Sequence, residues 1–186
     1  MALAACSGPR IVNQDLRGQW DTDQTVTEHH ITYTPTLMLE PAQNSADSGS
    51  VVLIARIQQN ITTTAADTAM GGDIRLEALT TATMQGAYKI KSKDDDDIRV
   101  RFDPTTLEVV TDPSSIRLSY TVLVDTATAA SRLEALRPSA LDLAVRDGRQ
   151  SAEKLMREID ELEDVRVSGD TLRCELDDAH LLFKRQ

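Results

Sequence analysis

The sequence predicts a mainly β protein, an antiparallel β-barrel or β-sandwich with a helical insertion near residues 128–163. Three observations support this class. Segments of alternating polar and apolar residues follow one another from Leu16 to Val124, with the two-residue period of half-buried strands. Turn-forming stretches such as 41–50 (PAQNSADSGS) separate them. After Asp125 the chain becomes rich in Ala, Leu and Glu, which favours helix, and strand signals return near the end.

The length of 186 residues suits one domain. We expect a tether over residues 1–14 and a single β domain over 15–186, because too little chain follows the helical segment to build a second core. Hydrophobic residues make up 40% of the chain but aromatic residues only 3%, so the core must be mainly aliphatic.

The chain is acidic, with a formal net charge of −10 and a pI near 4.7. Binding to nucleic acid depends on Lys and Arg displacing counterions from phosphates. The net charge therefore argues against a nucleic-acid partner.

The first residues predict a processing signal. Leu3-Ala4-Ala5-Cys6 resembles the bacterial lipobox, in which small residues precede a cysteine that is acylated after cleavage. Lipidation of Cys6 would make this a bacterial cell-envelope protein, a periplasmic or cell-surface lipoprotein whose only membrane contact is the anchor. Two alternatives stay open: an incidental cysteine in an Ala-rich chain end, and a Cys6–Cys174 disulfide in an oxidising compartment.

The first strands come from β-branched, alternating segments. Residues 26–33 (VTEHHITY) predict one half-buried strand, with Pro35 as the interruption and 36–40 as the next strand or its continuation. The apolar run 51–57 (VVLIARI) predicts a buried strand.

The middle of the chain predicts further strands near 57–65 and 74–83, around Gly71-Gly72. The clearest hairpin joins 86–91 to 98–102. Its second strand should point Ile98, Val100 and Phe102 inward and the intervening arginines to solvent. Residues 107–110 and 116–122 complete the series.

The helical segment predicts two pieces, near 128–136 and 139–163, because Pro138 suits a first turn or a break. Gly148 weakens the second piece and marks a second point of division. Strands near 165–167, 171–176 and 179–184 close the chain, with the acidic pair Asp177-Asp178 forming one of the turns between them.

Leu16-Arg17-Gly18-Gln19-Trp20 contains the only Trp and resembles the G-x-W motif that opens lipocalins. Leu182-Phe183-Lys184-Arg185 resembles the basic residue at their last strand. The two terminal motifs, the order of the strands and the Gly169-Asp170-Thr171-Leu172 turn together make the chain similar to bacterial lipocalin-like (calycin-type) lipoproteins. The resemblance implies that Arg185, with Lys184 as substitute, packs across Trp20 and closes the barrel. The long, late helix and the scarcity of aromatics depart from that family.

Catalytic and metal signals are weak. The run 94–97 (DDDD) lacks the spacing of a Ca²⁺ loop and is better interpreted as a solvated hairpin tip. Adjacent His29 and His30 would point to opposite faces of a strand. No motif presents a nucleophile beside a base. We expect no enzyme, no metal and no cofactor.

The resulting hypothesis is a non-enzymatic, envelope-anchored lipocalin-like domain, whose eight-stranded barrel either holds a small hydrophobic ligand or serves as a scaffold. Seven aliphatic side chains are predicted to face that ligand. They are Leu37, Leu39, Val52, Ile54, Ile90, Val100 and Leu118. The alternative is a cell-surface module with a filled core, which binds protein or glycan partners through its Thr-rich strands and the Gly71-Gly72 loop.

Overall fold

A computed structural model describes residues 11–28, 30–63, 73–91, 96–121 and 126–186, and for residues 126–129 the backbone alone. The chain forms eleven strands in these ranges and one long helix. The strands are β1 (Gly18–Asp21), β2 (Val26–Glu28), β3 (Ile31–Pro41), β4 (Ser48–Thr63), β5 (Ile74–Ile90), β6 (Ile98–Phe102), β7 (Glu108–Thr111), β8 (Arg117–Tyr120), β9 (Glu161–Ser168), β10 (Thr171–Leu176) and β11 (Ala179–Arg185). The helix, α1 (Thr126–Glu158), lies between β8 and β9.

All the strands belong to one antiparallel sheet, and eight of them close a ring. Hydrogen-bonded neighbours run β1-β11-β10-β9-β6-β5-β4-β3, and pairing of β1 with β3 completes the circuit. Three short strands lie off the ring: β2 pairs with β3, and β7 and β8 pair with β5. The predicted mainly β class with a helical insertion is therefore confirmed, in its barrel form.

The break near the start of the sheet lies elsewhere than predicted. The expected strand over 26–33 is divided into β2 and β3, and His30 between them has a left-handed φ of 72°. Pro35, the predicted interruption, lies inside β3. On that edge β2 pairs as far as Tyr33 and β1 begins at Thr36, so the N–H that Pro35 lacks falls where the ladder changes partner.

The two longest strands are each continuous where two strands were expected. β4 and β5 pair from Ser48↔Lys89 to Thr63↔Ile74, and one unbroken ladder satisfies the backbone of both strands along their length. The hairpin of β5 with β6 is confirmed, including the buried Ile98, Val100 and Phe102 and the exposed arginines between them.

The predicted division of the helix is wrong, because α1 runs unbroken from Thr126 to Glu158 through Pro138. The flanking residues Glu134–Ser139 are exposed, so water can solvate the carbonyl that loses its bond at the proline. Gly148 has a packing role: a Cβ there would lie 2.6 Å from Thr80 Oγ1. The helix also ends earlier than expected, and Glu161–Glu163 belong to β9.

The core has two parts. The larger fills the ring and includes Trp20, Tyr33, Phe183 and, from α1, Ala152 and Leu155. The smaller lies under the first half of α1. It consists of Leu76, Ala78, Ile116, Ala140 and Ala144, with Ile61, Leu118, Leu141 and Leu143 packed against it.

A buried polar layer separates the two parts of the core. Gln59 Nε2 donates to Ala144 O and to Asp147 Oδ2, both at 2.9 Å. Thr80 Oγ1 donates to Gln59 Oε1 at 2.9 Å and lies 2.8 Å from Thr111 Oγ1. Because buried polar groups must pair, this layer fixes α1 against β4, β5 and β7.

The chain enters the barrel at a second polar cluster. Ile11 and Asn13, from the segment predicted as a tether, are buried in the domain. Asn13 Nδ2 donates to Ser45 O and Ser48 O, and Asn13 Oδ1 accepts from Tyr88 Oη at 2.7 Å. Residues 1–10, including Cys6 and its predicted lipobox, lie outside the described residues.

Candidate functional site

The Trp20–Arg185 contact implied by the lipocalin resemblance is present. Arg185 Cζ lies 4.4 Å from the centroid of the Trp20 ring, and the two residues are cross-strand partners of β1 and β11. Trp20 is fully buried, and its Nε1 donates to Leu16 O at 2.7 Å. Arg185 Nη2 donates to Asp15 O at 2.7 Å. The alternative residue, Lys184, is exposed and pairs with Asp21.

Four of the seven aliphatic residues predicted to face a ligand do point into the barrel. Leu37, Leu39, Ile90 and Val100 are buried in the larger core. Leu118 is only half-buried and packs against the smaller core under α1, outside the ring, because β8 pairs beyond the ring-forming part of β5.

The expectation that Val52 and Ile54 point inward is wrong. Directly paired residues of an antiparallel ladder lie on the same face, and Leu37 pairs with Leu53. Val51 and Leu53 are therefore buried, and Val52 and Ile54 are half-buried on the outer face. In an uninterrupted apolar run such as 51–57, periodicity alone cannot choose between the two faces.

The interior of the barrel is filled by its own side chains. Trp20, Leu53, Met84 and Phe183 are 0% exposed, and Leu37 only 2%. A cavity large enough for a small molecule would leave the side chains around it accessible. These five described side chains therefore leave no room for a ligand beside them.

The most chemically distinctive surface is an acidic groove of about 380 Å³. It lies where β2, the C-terminal end of α1, β9 and the β10–β11 turn meet. Eight of the nine residues that line it are acidic. They are Glu28, Glu158, Asp160, Glu161, Glu163, Glu175, Asp177 and Asp178, with Thr27 as the ninth.

The β10–β11 turn places two of these carboxylates. Leu176 pairs with Ala179, and the two residues between them have φ values of 51° and 61°, as in a type I′ turn. Asp tolerates this left-handed conformation better than most residues. Tyr33, fully buried on β3, donates its hydroxyl to Asp177 Oδ2 at 2.7 Å. Burial and the adjacent Asp177 carboxylate raise the pKa of Tyr33 well above its ordinary value, so the phenol remains a donor.

Glu28 has the most perturbed carboxyl in the groove. A side-chain hydrogen bond with Asp177 raises the pKa of Glu28 to about 7, with further contributions from burial and from the charges of Asp177, Glu158 and Asp178. Two carboxyl groups form a hydrogen bond only when one of them carries a proton. Glu28 therefore keeps its proton to a higher pH than an ordinary carboxyl group does.

Basic side chains lie at the edges of the groove. Lys91 pairs with both Glu161 and Asp97, and these hydrogen bonds raise the pKa of Lys91, that with Glu161 most. His180 Nδ1 lies 3.2 Å from Glu175 Oε2, and Lys154 Nζ lies 3.9 Å from Glu158 Oε1. Between them, Asp177 accepts a hydrogen bond from the hydroxyl of Tyr33.

The other residues considered from the sequence do not form a site. His29, Asp94 and Asp95 lie outside the described residues. Asp97 accepts from Asp164 N and pairs with Lys91. Among the described residues, no group of three or more His, Cys, Asp or Glu is arranged to hold a metal ion. Cys174 is a buried free thiol whose pKa is raised to about 12 by burial.

The groove was not predictable from the sequence because its parts are distant in the chain. Glu28 and Asp177 are separated by most of the sequence, and only closure of the barrel brings β2 and the β10–β11 turn together. The one available signal was the Asp177-Asp178 pair, interpreted as a turn and not as half of a carboxyl pair.

Comparison of the chain with protein-family models, with curated proteins and with solved structures finds no match. In the part of the chain that is described, no helix is both long and apolar enough to span a membrane.

Proposed function

We propose that this chain is a non-enzymatic interaction module on a lipocalin-like barrel with a filled core, held at the bacterial cell envelope by a lipid on Cys6. The filled interior is the observation that carries the proposal. A lipocalin-like carrier needs a cavity among its inward side chains, and the described core side chains pack against one another without one. We therefore expect a partner to bind on the outside of the barrel.

The outer face of β3, β4 and β5 is the surface best suited to a partner. Cross-strand pairs place Thr36 beside Ile54, and Ile54 beside Thr83. Met38, 41% exposed, lies beside Val52, and Val110 of β7, 66% exposed, lies beside Thr81. We call these seven residues the outer threonine face. The seven side chains are uncharged, and three charged residues border them: Asp21 pairs with Thr36, Arg56 with Thr81, and Glu108 with Thr83. Partly exposed apolar side chains such as Met38 and Val110 are typical of a contact surface.

A protein partner fits this face better than a glycan. The alternative of glycan binding calls for aromatic rings on the surface to stack on sugars. Five of the six aromatic residues are instead buried; the sixth, Tyr120, is half-buried on β8. Aliphatic and threonine side chains favour contact with another protein surface, through dispersion and apolar burial.

The first test concerns the interior. The protein is purified from a bacterial host, analysed by native mass spectrometry, and extracted with organic solvent to identify anything bound. We expect the mass of the protein alone, apart from any lipid attached to Cys6. A noncovalent hydrophobe at one-to-one stoichiometry, retained by a Cys6→Ser variant, would overturn the filled-core proposal in favour of ligand carriage.

The second test concerns the outer threonine face. A photo-crosslinking amino acid is introduced at Ile54 or Thr83, and in a matched control at Arg173. Arg173 is exposed on β10, four strands around the ring from β4. We expect one protein to be captured from Ile54 and Thr83 but not from Arg173.

The captured protein is then purified and its affinity measured. Ile54→Lys should weaken binding at least about tenfold, because a charge on a desolvated contact is costly. Equal capture from Arg173, or unchanged affinity of the Ile54→Lys variant, would exclude this face.

A further inference from the structure

The outer face of β9 and β10 carries two like-charged pairs. Arg166 of β9 pairs directly with Arg173 of β10, and Glu163 of β9 pairs with Glu175 of β10. Directly paired side chains of an antiparallel ladder are about 5 Å apart at Cβ, and like charges in this position destabilise a sheet. Each of the two pairs is therefore unfavourable in the isolated chain.

β11 extends both pairs into rows. Leu182, 40% exposed, lies beside Arg173, and the exposed His180 lies beside Glu175. We call these six residues the dipolar face. It consists of a basic row (Arg166, Arg173 and Leu182) and an acidic row (Glu163, Glu175 and His180).

The basic row has no counter-charge within the described ranges of the chain. There, neither Arg166 nor Arg173 forms an ion pair or a side-chain hydrogen bond. Both arginines instead line a surface depression of about 460 Å³, together with Asp164 and Leu182. The guanidinium groups are therefore available to carboxylates of a partner.

A purely anionic ligand fits this face poorly. Residues two apart on a strand are about 7 Å apart, so a phosphate or an anionic lipid surface at the basic row would also meet the acidic row. The net charge of −10 would repel such a ligand as well. A well-matched partner presents both signs of charge at the same spacing, and the dipolar face itself has this arrangement.

We propose that the dipolar face binds a second copy of this chain, in a symmetric dimer in which the basic row of each copy lies over the acidic row of the other. A two-fold axis that runs across the strands, between the two rows, produces this match. It places Arg166 over the partner's Glu163, and Arg173 over the partner's Glu175. Each arginine and each glutamate of the two like-charged pairs then gains an opposite charge.

The dipolar face is small, so the dimer is weak. Six residues per copy bury well below the roughly 800 Å² per partner of a stable interface, and each exposed ion pair contributes little. We expect a dissociation constant on the order of 100 μM. At the much lower concentrations of a crosslinking experiment the face is unoccupied, so Arg173 remains a suitable control for the outer threonine face. The dimer does not depend on the proposed partner of that face.

The experiment is sedimentation equilibrium of the full chain, as a Cys6→Ser protein, at concentrations up to about 500 μM in about 0.15 M salt. The Debye length there is about 8 Å, so charges in contact across the interface still attract while distant acidic charges are screened. The average mass should rise with concentration, and association should weaken at least about tenfold at about 1 M salt. A monomer mass at every concentration would overturn the proposal.

Charge reversal identifies the face that is used. One double variant, Arg166→Glu with Arg173→Glu, carries only acidic charges at the four positions, and Glu163→Arg with Glu175→Arg carries only basic ones. Each variant alone should be monomeric, and their equimolar mixture should restore the dimer. Every substitution changes the charge by two, so the variants carry −14 and −6 against −10 in the wild type. Because both remain acidic, their net charges cannot explain an association.

The matched control is Arg56→Glu with Arg75→Glu, which makes the same change of net charge at exposed positions of β4 and β5. This control should dimerise as the wild type does. Circular dichroism establishes that each variant is folded. Self-association retained by either charge-reversed variant, or a mixture of the two folded variants that stays monomeric, would rule out this face.

Discussion

Trp20→Ala tests whether the ring closure at β1 and β11 holds the barrel together. Trp20 is fully buried between these strands and β3. Its indole N–H donates to Leu16 O at 2.7 Å, and its ring lies 4.4 Å from Arg185 Cζ. The substitution removes all three interactions at the strand that closes the ring.

The expected loss is about 4.5–5.5 kcal/mol of unfolding free energy. A buried Trp removes on the order of 200 Å² from water, and at about 25 cal/mol per Å², reduced for a compact unfolded chain, this contributes about 3–4 kcal/mol. The indole hydrogen bond adds about 1 kcal/mol. The Arg185 contact adds about 0.5 kcal/mol, the lower end of its range, because the guanidinium is partly exposed. Trp20→Phe, which retains most of the apolar area, should lose only about 1–2 kcal/mol.

The measurement is urea unfolding followed by far-ultraviolet circular dichroism, because the substitution removes the only Trp and with it the fluorescence signal. Val110→Ala, at an exposed site, is the matched control and should change stability by less than about 0.5 kcal/mol. A loss below about 2 kcal/mol for Trp20→Ala, at unchanged denaturant dependence, would refute the reasoning. The closure would then be a local contact and not a support of the ring.

Three further predictions concern buried polar and titratable groups. Gln59→Leu should lower the unfolding free energy by about 1–3 kcal/mol, because the Asp147 carboxylate and the Thr80 hydroxyl lose their buried partner; an unchanged urea midpoint would contradict this. The pKa of Glu28 is raised on folding to about 7, so its stabilising contribution is complete below its ordinary pKa of 4.5 and is lost as the pH rises through about 7. Relative to wild type, Glu28→Gln should therefore gain about 1 kcal/mol of unfolding free energy between pH 5 and pH 8, after allowance for solvent screening. A difference in urea unfolding that does not vary with pH would argue against the raised pKa of Glu28. The third prediction concerns Cys174 in a Cys6→Ser background. Because Cys174 is buried and its pKa is raised to about 12, it should not react with a thiol reagent at pH 8 until urea unfolds the chain. Rapid labelling of the folded protein would contradict the burial of Cys174.

The parts of the fold that local patterns encode were predictable. The alternation of Ile98, Val100 and Phe102 with two arginines specified both a strand and its buried face, because the apolar side chains favour the core and the arginines favour solvent. The acidic pair Asp177-Asp178 specified a turn. The pairing of Trp20 with Arg185 came from a resemblance, and the two lie on neighbouring strands with their side chains in contact.

Other predictions failed where local patterns were ambiguous or were overridden by packing. In 51–57 nearly every residue is apolar, so Val52 and Ile54 were assigned to the wrong face; only the register Leu37↔Leu53 decides it. Pro138 and Gly148 predicted a divided helix. The tertiary structure overrides both signals. The region around Pro138 is open to solvent, so water can bond the carbonyl that the proline leaves unpaired. Gly148 allows α1 to approach Thr80 closely.

The sequence by itself determined the antiparallel β class, the late helical insertion and most strand positions, because hydrophobic period and turn chemistry act over a few residues. Only the tertiary structure decided that the ring is filled, that Val52 and Ile54 face outward, and that Glu28 meets Asp177. Each of these depends on strand register and ring closure, which join residues far apart in the chain. The raised pKa of Glu28 depends on carboxyl groups that lie far from it in the chain, and no local pattern encodes their proximity.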